Sequence, residues 1–155
     1  MITAVSLFTG AGGMDIGFEK AGVEVVLANE IDKMAAQTYM KNRPNANLII
    51  DDIDNISAEL ERHKGVDIVF GGPPCQGFSV IGKMNPDDSR SQLIWSFLKA
   101  VEIIQPKAFV MENVKALAYI QKWKPIKDAF LEKAKSLGYG CVPYIINAAE
   151  YGTPQ

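Results

Sequence analysis

Residues 71–79 of this chain are Gly71-Gly72-Pro73-Pro74-Cys75-Gln76-Gly77-Phe78-Ser79. The five residues before them, 66–70, form a short apolar run rich in β-branched side chains, which predicts a buried strand. The two prolines fix their φ angles and bias the preceding residues toward extended conformations, so the chain leaves this strand in a defined direction. The sequence therefore places Cys75 just past the end of a strand, where open α/β sheets bind ligands.

A cysteine outside a disulfide is usually a small core hydrophobe, and that is the alternative for Cys75. The neighbours of Cys75 are Gly, Pro, Gln and Ser, which are typical of a loop rather than of the interior of a helix or strand. We therefore interpret Cys75 as a functional residue.

Length and composition favour one globular domain. A chain of 155 residues with 48% hydrophobic content can form one ordinary core, so we expect a single domain over 1–155. No apolar run approaches the roughly 18 residues of a membrane span, and no signal-like segment precedes the first predicted strand, so we expect a soluble intracellular protein. The two cysteines give no disulfide framework, and no Cys/His spacing is typical of zinc, so we expect no metal.

Charge is unevenly distributed along the chain. Residues 1–62 hold ten acids and five bases, whereas residues 63–155 hold eight acids and eleven bases. Most of the basic excess lies in six lysines: Lys115, Lys122, Lys124, Lys127, Lys133 and Lys135. A solvated helix face and a phosphate-binding surface explain these lysines equally well.

Alternating strand and helix patterns predict an α/β fold with a Rossmann-like, doubly wound, mostly parallel sheet. The predicted strands are 3–8, 23–28, 47–50, 66–70, 108–111 and 141–147. The predicted helices are 14–21, 33–41, 56–62, 91–104 and 126–137. Asp32 is the predicted cap of the second helix. The fourth helix is predicted to bury Ile94, Phe97, Leu98, Val101 and Ile104.

The first strand is followed by a glycine turn, residues 9–13, and then a helix, which is the arrangement that cradles nucleotides. The dinucleotide fingerprint G-x-G-x-x-G fails because Asp15 occupies the place of its third glycine, so a nicotinamide cofactor is the weaker interpretation. Glu30 lies twenty residues after Gly10, where an acid can bind ribose hydroxyls; the alternative is a solvent-facing acid. Glu112 follows the strand after that of Cys75, so both residues are expected at one edge of the sheet.

Three motifs resemble those of the cytosine-5 DNA methyltransferases, in that family's order. Residues 73–79 resemble the nucleophile motif, and the other two are Leu7-Phe8-Thr9-Gly10-Ala11-Gly12-Gly13-Met14 and Met111-Glu112-Asn113-Val114. With a partial fourth motif at 151–155, the resemblance spans nearly the whole chain. It implies the fold of the S-adenosylmethionine-dependent methyltransferases, incomplete at the C-terminus.

The resemblance also implies a role for individual residues. The catalytic set is Cys75, Glu112, Pro74 and Asn113. The set that binds S-adenosylmethionine is Phe8, Gly10, Ala11, Gly12, Gly13, Glu30, Ile31, Asp52, Ile53, Gly72 and Leu93. The set that contacts DNA is Gln76, Ser79, Lys83 and Arg90, on or beside a loop at 80–90 that closes over the DNA. For Asp52, a plain loop or helix-cap role is the alternative.

The implied reaction is methylation of C5 of a flipped-out cytosine in double-stranded DNA, through a covalent adduct of Cys75, with S-adenosylhomocysteine as product. Family members continue past 151–155 into further motifs and a target-recognition domain. We therefore expect a fragment of a longer enzyme, a subunit whose partner polypeptide supplies the rest, or a remnant that only binds, and little activity from the chain alone. A tRNA cytosine-5 methyltransferase and a catalytically silent nucleotide- or DNA-binding module are the rival functions. The expected location is the cytoplasm, at the nucleoid, in a prokaryote, or the nucleus in a eukaryote.

Overall fold

A computed structural model describes residues 1–74 and 92–153 of the chain. Five predicted site residues lie outside these ranges: Cys75, Gln76, Ser79, Lys83 and Arg90. The predicted loop at 80–90 lies outside them as well. The chain divides into two compact units, Met1–Asn113 and Val114–Gln155.

The first unit alternates strands and helices along its described length. The strands are β1 (Ile2–Leu7), β2 (Val23–Glu30), β3 (Leu48–Ile50), β4 (Ile68–Gly71) and β5 (Ala108–Met111). The helices are α1 (Gly13–Lys20), α2 (Lys33–Asn42), α3 (Ser57–Glu61) and α4 (Leu93–Ile104). The first five predicted strands are confirmed, and Asp32 caps α2 as predicted, its carboxylate accepting a hydrogen bond from the Ala35 N–H at 2.7 Å.

The five strands form one sheet in the order β3-β2-β1-β4-β5, and all four pairings are parallel. Every strand therefore ends at the same edge of the sheet. The strand order reverses direction between β1 and β4, and such a switch point is where open α/β sheets bind ligands.

Helices cover both faces of this sheet. The ring of Phe18 in α1 stacks on that of Phe70 in β4, with centroids 4.0 Å apart. The ring of Phe97 in α4 meets that of Phe109 in β5 edge-on at 6.0 Å. Phe109 is paired with Val69, the residue before Phe70, and successive side chains of a strand point to opposite faces. The helices α1 and α4 thus pack on opposite faces, and the predicted doubly wound α/β fold is confirmed.

Helix α4 confirms the predicted core stripe. All five residues of that stripe are at most 1% exposed: Ile94, Phe97, Leu98, Val101 and Ile104. The spacing of three and four residues gives one apolar face of a helix, and burial of that face against the sheet stabilises it.

The pairing of β1 with β2 contains an irregularity that sequence patterns do not reveal. The register shifts between Ala4 and Val5, so that Ala4 pairs with Val25 whereas Val5 pairs with Leu27. Val26 therefore has no opposite residue in β1. After Val26, each residue of β2 pairs one position further along than the earlier register would give. The shift brings Asn29 opposite Leu7 at the end of the pair.

The second unit contains α5 (Lys115–Tyr119), α6 (Lys124–Ser136) and short 3-10 turns. Its predicted strand at 141–147 is wrong, because no residue of that segment forms a strand. Pro143 has no N–H to donate, and no described strand pairs with the segment. The side chains of Val142, Tyr144 and Ile146 are exposed. Across the described ranges, no helix is long and apolar enough to cross a membrane.

At the edge where the strands begin, Asp67 connects three strands. Its carboxylate accepts hydrogen bonds from the N–H of Thr3, at 2.8 Å, and from the Lys107 ammonium, at 2.7 Å. The Lys107 ammonium and the Thr3 N–H lower the pKa of Asp67 from 3.8 to about 2. Because the bonds favour the charged form, their contribution to stability is present above the ordinary pKa and is lost as the pH falls through the lowered one.

We expect Asp67→Asn to lower the urea midpoint of unfolding near neutral pH, and the difference from wild type to shrink below about pH 4. Glu24→Gln, which changes an exposed carboxyl group on β2, is the control and should give no such difference. Urea titrations followed by circular dichroism between about pH 7 and pH 3 measure both. A difference for Asp67→Asn that persists unchanged at the lowest pH contradicts the account.

Candidate active site

One row of paired residues crosses the sheet just before its ligand-binding edge. Asn29 pairs with Leu7, Leu7 with Gly71, and Gly71 with Met111. The next residue along each of these four strands is a predicted site residue: Glu30, Phe8, Gly72 and Glu112. The parallel register therefore brings residues from four distant parts of the sequence to one edge.

The glycine turn after β1 has an unusual backbone. Phe8, Gly10 and Gly12 all have positive φ angles, of 53°, 56° and 89°. Among residues 1–74 and 92–153, no atom lies within 4 Å of a Cβ built on Gly10, so this part of the chain leaves open space beside the turn. A Cβ on Gly12 would lie 2.5 Å from Nη1 of Arg43 and 2.9 Å from the Tyr39 ring, so Gly12 is required for close packing. Ala11 and Gly13 are exposed beside them.

Glu30 is 8% exposed and holds the turn from the end of β2. Its Oε2 accepts a hydrogen bond from the Gly10 N–H at 2.7 Å, and its Oε1 accepts one from the Asp32 N–H at 2.8 Å. A carboxylate has about four lone-pair sites, so each oxygen retains one for a ligand hydroxyl. Ile31, the next residue, is 60% exposed and offers an apolar surface beside the carboxylate.

The sequence pattern marks Asp15 only as a departure from the dinucleotide fingerprint. In the structure its side chain is completely buried and accepts three hydrogen bonds, from the hydroxyls of Ser6 at 3.0 Å, Thr9 at 2.7 Å and Tyr39 at 2.8 Å. Burial and then the charge of Asp15 raise the pKa of Tyr39 far above its ordinary value, so the phenol remains a donor. A buried acid that follows a hydroxyl-rich turn, S-x-x-T-x₅-D, is a signal that sequence reasoning could have used.

The end of β3 is fixed by Asn29, another buried residue that sequence reasoning missed. Its amide donates to the carbonyls of Ile49, at 3.2 Å, and Asp51, at 2.9 Å. Asp52 follows, half-buried, with Oδ1 accepting from the Asp54 N–H at 3.0 Å, which is the cap role considered as the alternative. Ile53 is only 5% exposed, so it presents little surface to a ligand.

The ends of β4 and β5 are bonded to each other. The Glu112 N–H donates to the Gly71 carbonyl at 2.9 Å, and the Asn113 amide donates to the Pro73 carbonyl at 3.2 Å. A Cβ built on Gly72 would lie 3.0 Å from Oε2 of Glu112, so the carboxyl group occupies the space that a side chain at Gly72 would take. Glu112 therefore lies beside the end of β4, as predicted. The described part of the segment that leads from β4 toward Cys75 ends at Pro74.

The remaining predicted ligand residue is Leu93, half-buried at the start of α4. The ligand roles of all these residues stay predictions. Within residues 1–74 and 92–153, no group of three or more His, Cys, Asp or Glu side chains is placed to hold a metal ion.

The family model of the C-5 cytosine-specific DNA methylases matches residues 2–155. The chain belongs to this family. The similarity to bacterial relatives also covers nearly the whole chain. The chain is 41% identical to the type II methyltransferase M.AquIA of Picosynechococcus sp., over 97% of this chain and 66% of the relative. It is 40% identical to the type II methyltransferase M1.HphI of Haemophilus parahaemolyticus, over 99% of this chain and 43% of the relative. The chain therefore spans less than two thirds of the length of these relatives.

Solved structures agree with the family assignment. A prophage-encoded E. coli protein described as a DNA modification methyltransferase superposes with a TM-score of 0.73 at 32% identity, covering 88% of this chain and 38% of that one. A triple-mutant form of DNMT2 from Spodoptera frugiperda gives a TM-score of 0.68 at 25% identity, covering 88% and 41%. Family membership implies a methyl-donor cofactor.

The two glycines at the end of β4 should respond differently to an added methyl group. A Cβ on Gly71 would lie 2.1 Å from the Leu7 carbonyl oxygen, which is backbone of β1 and cannot move without separating the strands. We expect Gly71→Ala to lower the free energy of unfolding by about 3 kcal/mol or more.

Gly72→Ala is the matched variant, because among the described residues its Cβ meets only the flexible Glu112 side chain, with Oε2 at 3.0 Å and Cβ at 3.9 Å. Its free energy of unfolding should change by less than about 1 kcal/mol. Urea unfolding of the two variants makes the comparison, and equal destabilisation would show that the end of β4 is not packed as described.

Proposed function

We propose that residues 1–155 form the cofactor-binding and catalytic part of a DNA cytosine-5 methyltransferase. The proposed reaction transfers a methyl group from S-adenosylmethionine to C5 of a flipped-out cytosine in double-stranded DNA. The observation that carries the proposal is the row of paired residues at the sheet edge, after which the glycine turn, Glu30, Gly72 and Glu112 follow on four strands. The family assignment supports the same reaction.

S-adenosylmethionine fits the described residues better than a dinucleotide does. A glycine turn binds a pyrophosphate through free N–H groups, but here the N–H of Gly10 donates to Glu30 and that of Gly12 donates to the Thr9 carbonyl. The carboxyl groups of Glu30 and Asp15 beside the turn would also repel a phosphate. They suit a cationic cofactor whose ribose hydroxyls bond to Glu30.

The remaining cofactor contacts follow from exposure at the same edge. Ile31 would pack against the adenine, and Oδ2 of Asp52 would accept from its amino group. Open space beside Gly10 would admit the ligand. When bound, the cofactor would supply an electrophilic methyl group on a sulfonium, and the chain's own residues would raise the electron density at C5 of cytosine.

We propose Cys75 as the group that provides this electron density. Its thiolate would form a bond to C6, C5 would take the methyl group, and loss of the C5 proton with cleavage of the carbon–sulfur bond would restore the ring. Cys141, the other cysteine, is half-buried, and burial raises the pKa of its thiol. A raised pKa lowers the thiolate fraction, which makes Cys141 a poor nucleophile.

Glu112 would hydrogen-bond N3 and the exocyclic amine of the cytosine, stabilising the anionic adduct and selecting the base. Asn113 would hold the backbone at Pro73 and Pro74 through its bond to the Pro73 carbonyl. The target base must leave the DNA stack to reach these groups. Gln76, Ser79, Lys83 and Arg90 would contact the DNA.

Methyl transfer to double-stranded DNA from a radiolabelled donor tests the proposed nucleophile. The chain is assayed alone and with a second polypeptide that covers the relatives' remaining length. Cys75→Ser should abolish transfer and leave cofactor affinity within about threefold. Cys141→Ser is the matched control and should retain activity; loss of transfer in Cys141→Ser but not in Cys75→Ser overturns the assignment.

Glu112→Gln keeps the shape of the side chain and should slow transfer by about 100-fold while retaining DNA binding. A full rate in this variant removes Glu112 from the mechanism.

The same assay with tRNA in place of DNA tests the substrate. Faster methylation of tRNA than of DNA would contradict the proposal of a DNA methyltransferase.

Binding of S-adenosylmethionine, measured by calorimetry, tests the proposed cofactor site. Gly10→Ala and Gly22→Ala both place a methyl group on a residue of positive φ, with no atom of the described residues within 4 Å. Each should cost about 1 kcal/mol of stability for the left-handed backbone. Only Gly10→Ala fills the space beside the turn, so it alone should weaken binding, by about tenfold or more. Equal affinities would exclude the turn as the binding site.

A further inference from the structure

A buried hydrogen-bond network lies directly behind the glycine turn. Asp15, in the first turn of α1, accepts from Ser6 on β1, Thr9 in the turn and Tyr39 on α2. Asp15 and Tyr39 are both completely buried. The network therefore joins one strand, the turn and two helices through a single carboxyl group.

Thr9 is the member of the network that acts on the turn itself. It lies between Phe8 and Gly10, two residues of positive φ, and its own carbonyl accepts from the Gly12 N–H at 2.9 Å. A non-glycine residue such as Phe8 adopts this backbone at a cost, and such conformations persist only where surrounding contacts enforce them. The bond from Thr9 Oγ1 to Asp15 is such a contact.

Tyr39 of α2 and the neighbouring Arg43 add contacts to Asp15 and to Gly12 of the turn. The Tyr39 hydroxyl bonds to Oδ1 of Asp15, and its ring packs where Gly12 lacks a Cβ. The Arg43 guanidinium lies 4.8 Å from the centre of that ring and donates to the Gly12 carbonyl at 3.3 Å. The same guanidinium makes two bonds to Glu19 of α1, at 2.9 and 2.8 Å.

We propose that Tyr39, acting through Asp15, is a positioning residue that holds the glycine turn in the conformation that binds the cofactor. The proposal rests on the proposed function, because it assigns this turn to the cofactor. The Tyr39 hydroxyl donates to Oδ1 of Asp15, which lies outside the turn. Its effect passes through Asp15 to Thr9, and from Thr9 to the residues on either side.

The alternative is that the network only stabilises the packing of α2 against the rest of the fold. The two explanations predict different effects when the Tyr39 hydroxyl is removed. Loss of a purely stabilising contact lowers global stability alone. Loss of a positioning contact also allows the turn to open locally while the protein remains folded. Local opening would weaken cofactor binding, because part of the binding energy must then restore the turn.

The test compares Tyr39→Phe with Ile104→Val, a substitution in the core at the far end of α4. Each removes one buried non-hydrogen atom and should lower the urea midpoint. Only Tyr39→Phe should weaken the binding of S-adenosylhomocysteine, by about tenfold, which is the size expected for losing one hydrogen bond to a carboxylate. Only Tyr39→Phe should also speed amide hydrogen exchange at Gly10 and Gly12, measured by NMR.

The proposal is overturned if Tyr39→Phe has the same affinity for S-adenosylhomocysteine and the same amide exchange rates at Gly10 and Gly12 as Ile104→Val. Should Tyr39→Phe fail to fold, Thr9→Val removes the bond between the turn and Asp15 and should give the same two changes. A wild-type chain that binds neither S-adenosylmethionine nor S-adenosylhomocysteine would refute the proposed cofactor instead. In that case the exchange rates at Gly10 and Gly12 still decide whether Tyr39 holds the turn.

Discussion

The close approach of β1 and β4 is the constraint on which the rest of this structure depends. Gly71 lies so near the Leu7 carbonyl that a Cβ on it would stand 2.1 Å from the oxygen. Only glycine permits this contact, and the contact aligns the last residues of the two strands. The glycine turn then leaves from β1 and the proline pair from β4, at the point where the strand order reverses. Pairing of β5 with β4 adds Glu112 to the same edge.

Polar side chains at this edge are bonded before any ligand arrives. Glu30 bonds two backbone N–H groups, Asp15 bonds three hydroxyls, and Asn29 bonds two carbonyls. A site whose groups are fixed in advance does not spend binding energy on ordering them. The N–H groups of Gly10 and Gly12 already have acceptors within the protein, which disfavours a phosphate at these two positions and supports the proposed cofactor.

Much of this organisation could be predicted from the sequence. Short apolar runs followed by glycine, acid or proline predicted the first five strands and the edge at which their polar residues gather. The spacing of Ile94, Phe97 and Leu98 predicted the buried face of α4. The motif order predicted the family that the comparison of residues 2–155 confirms. These predictions succeeded because they rest on local periodicity and on residues adjacent to strand ends.

Other features depend on partners distant in sequence, which local patterns do not contain. Tyr39 reads as one apolar residue of an amphipathic helix, and only the fold shows its hydroxyl at Asp15, twenty-four positions earlier. The register shift at Val26 likewise appears only when β1 and β2 are paired. The segment 141–147 has the composition of a strand, but a strand requires a partner for its backbone groups, and composition does not reveal whether one is present.

We propose that Cys75 attacks a cytosine beside a methyl donor bound at the edge formed by β1, β4 and β5. Covalent trapping tests it most directly: DNA containing 5-fluorocytosine is incubated with S-adenosylmethionine, the protein and a second polypeptide that covers the relatives' remaining length, and the adduct is located by peptide mass spectrometry. The fluorine blocks loss of the C5 substituent, so the account predicts a stable complex joined at Cys75 and dependent on the methyl donor. An adduct at Cys141, or methylation of unmodified DNA without any trapped complex, would contradict it.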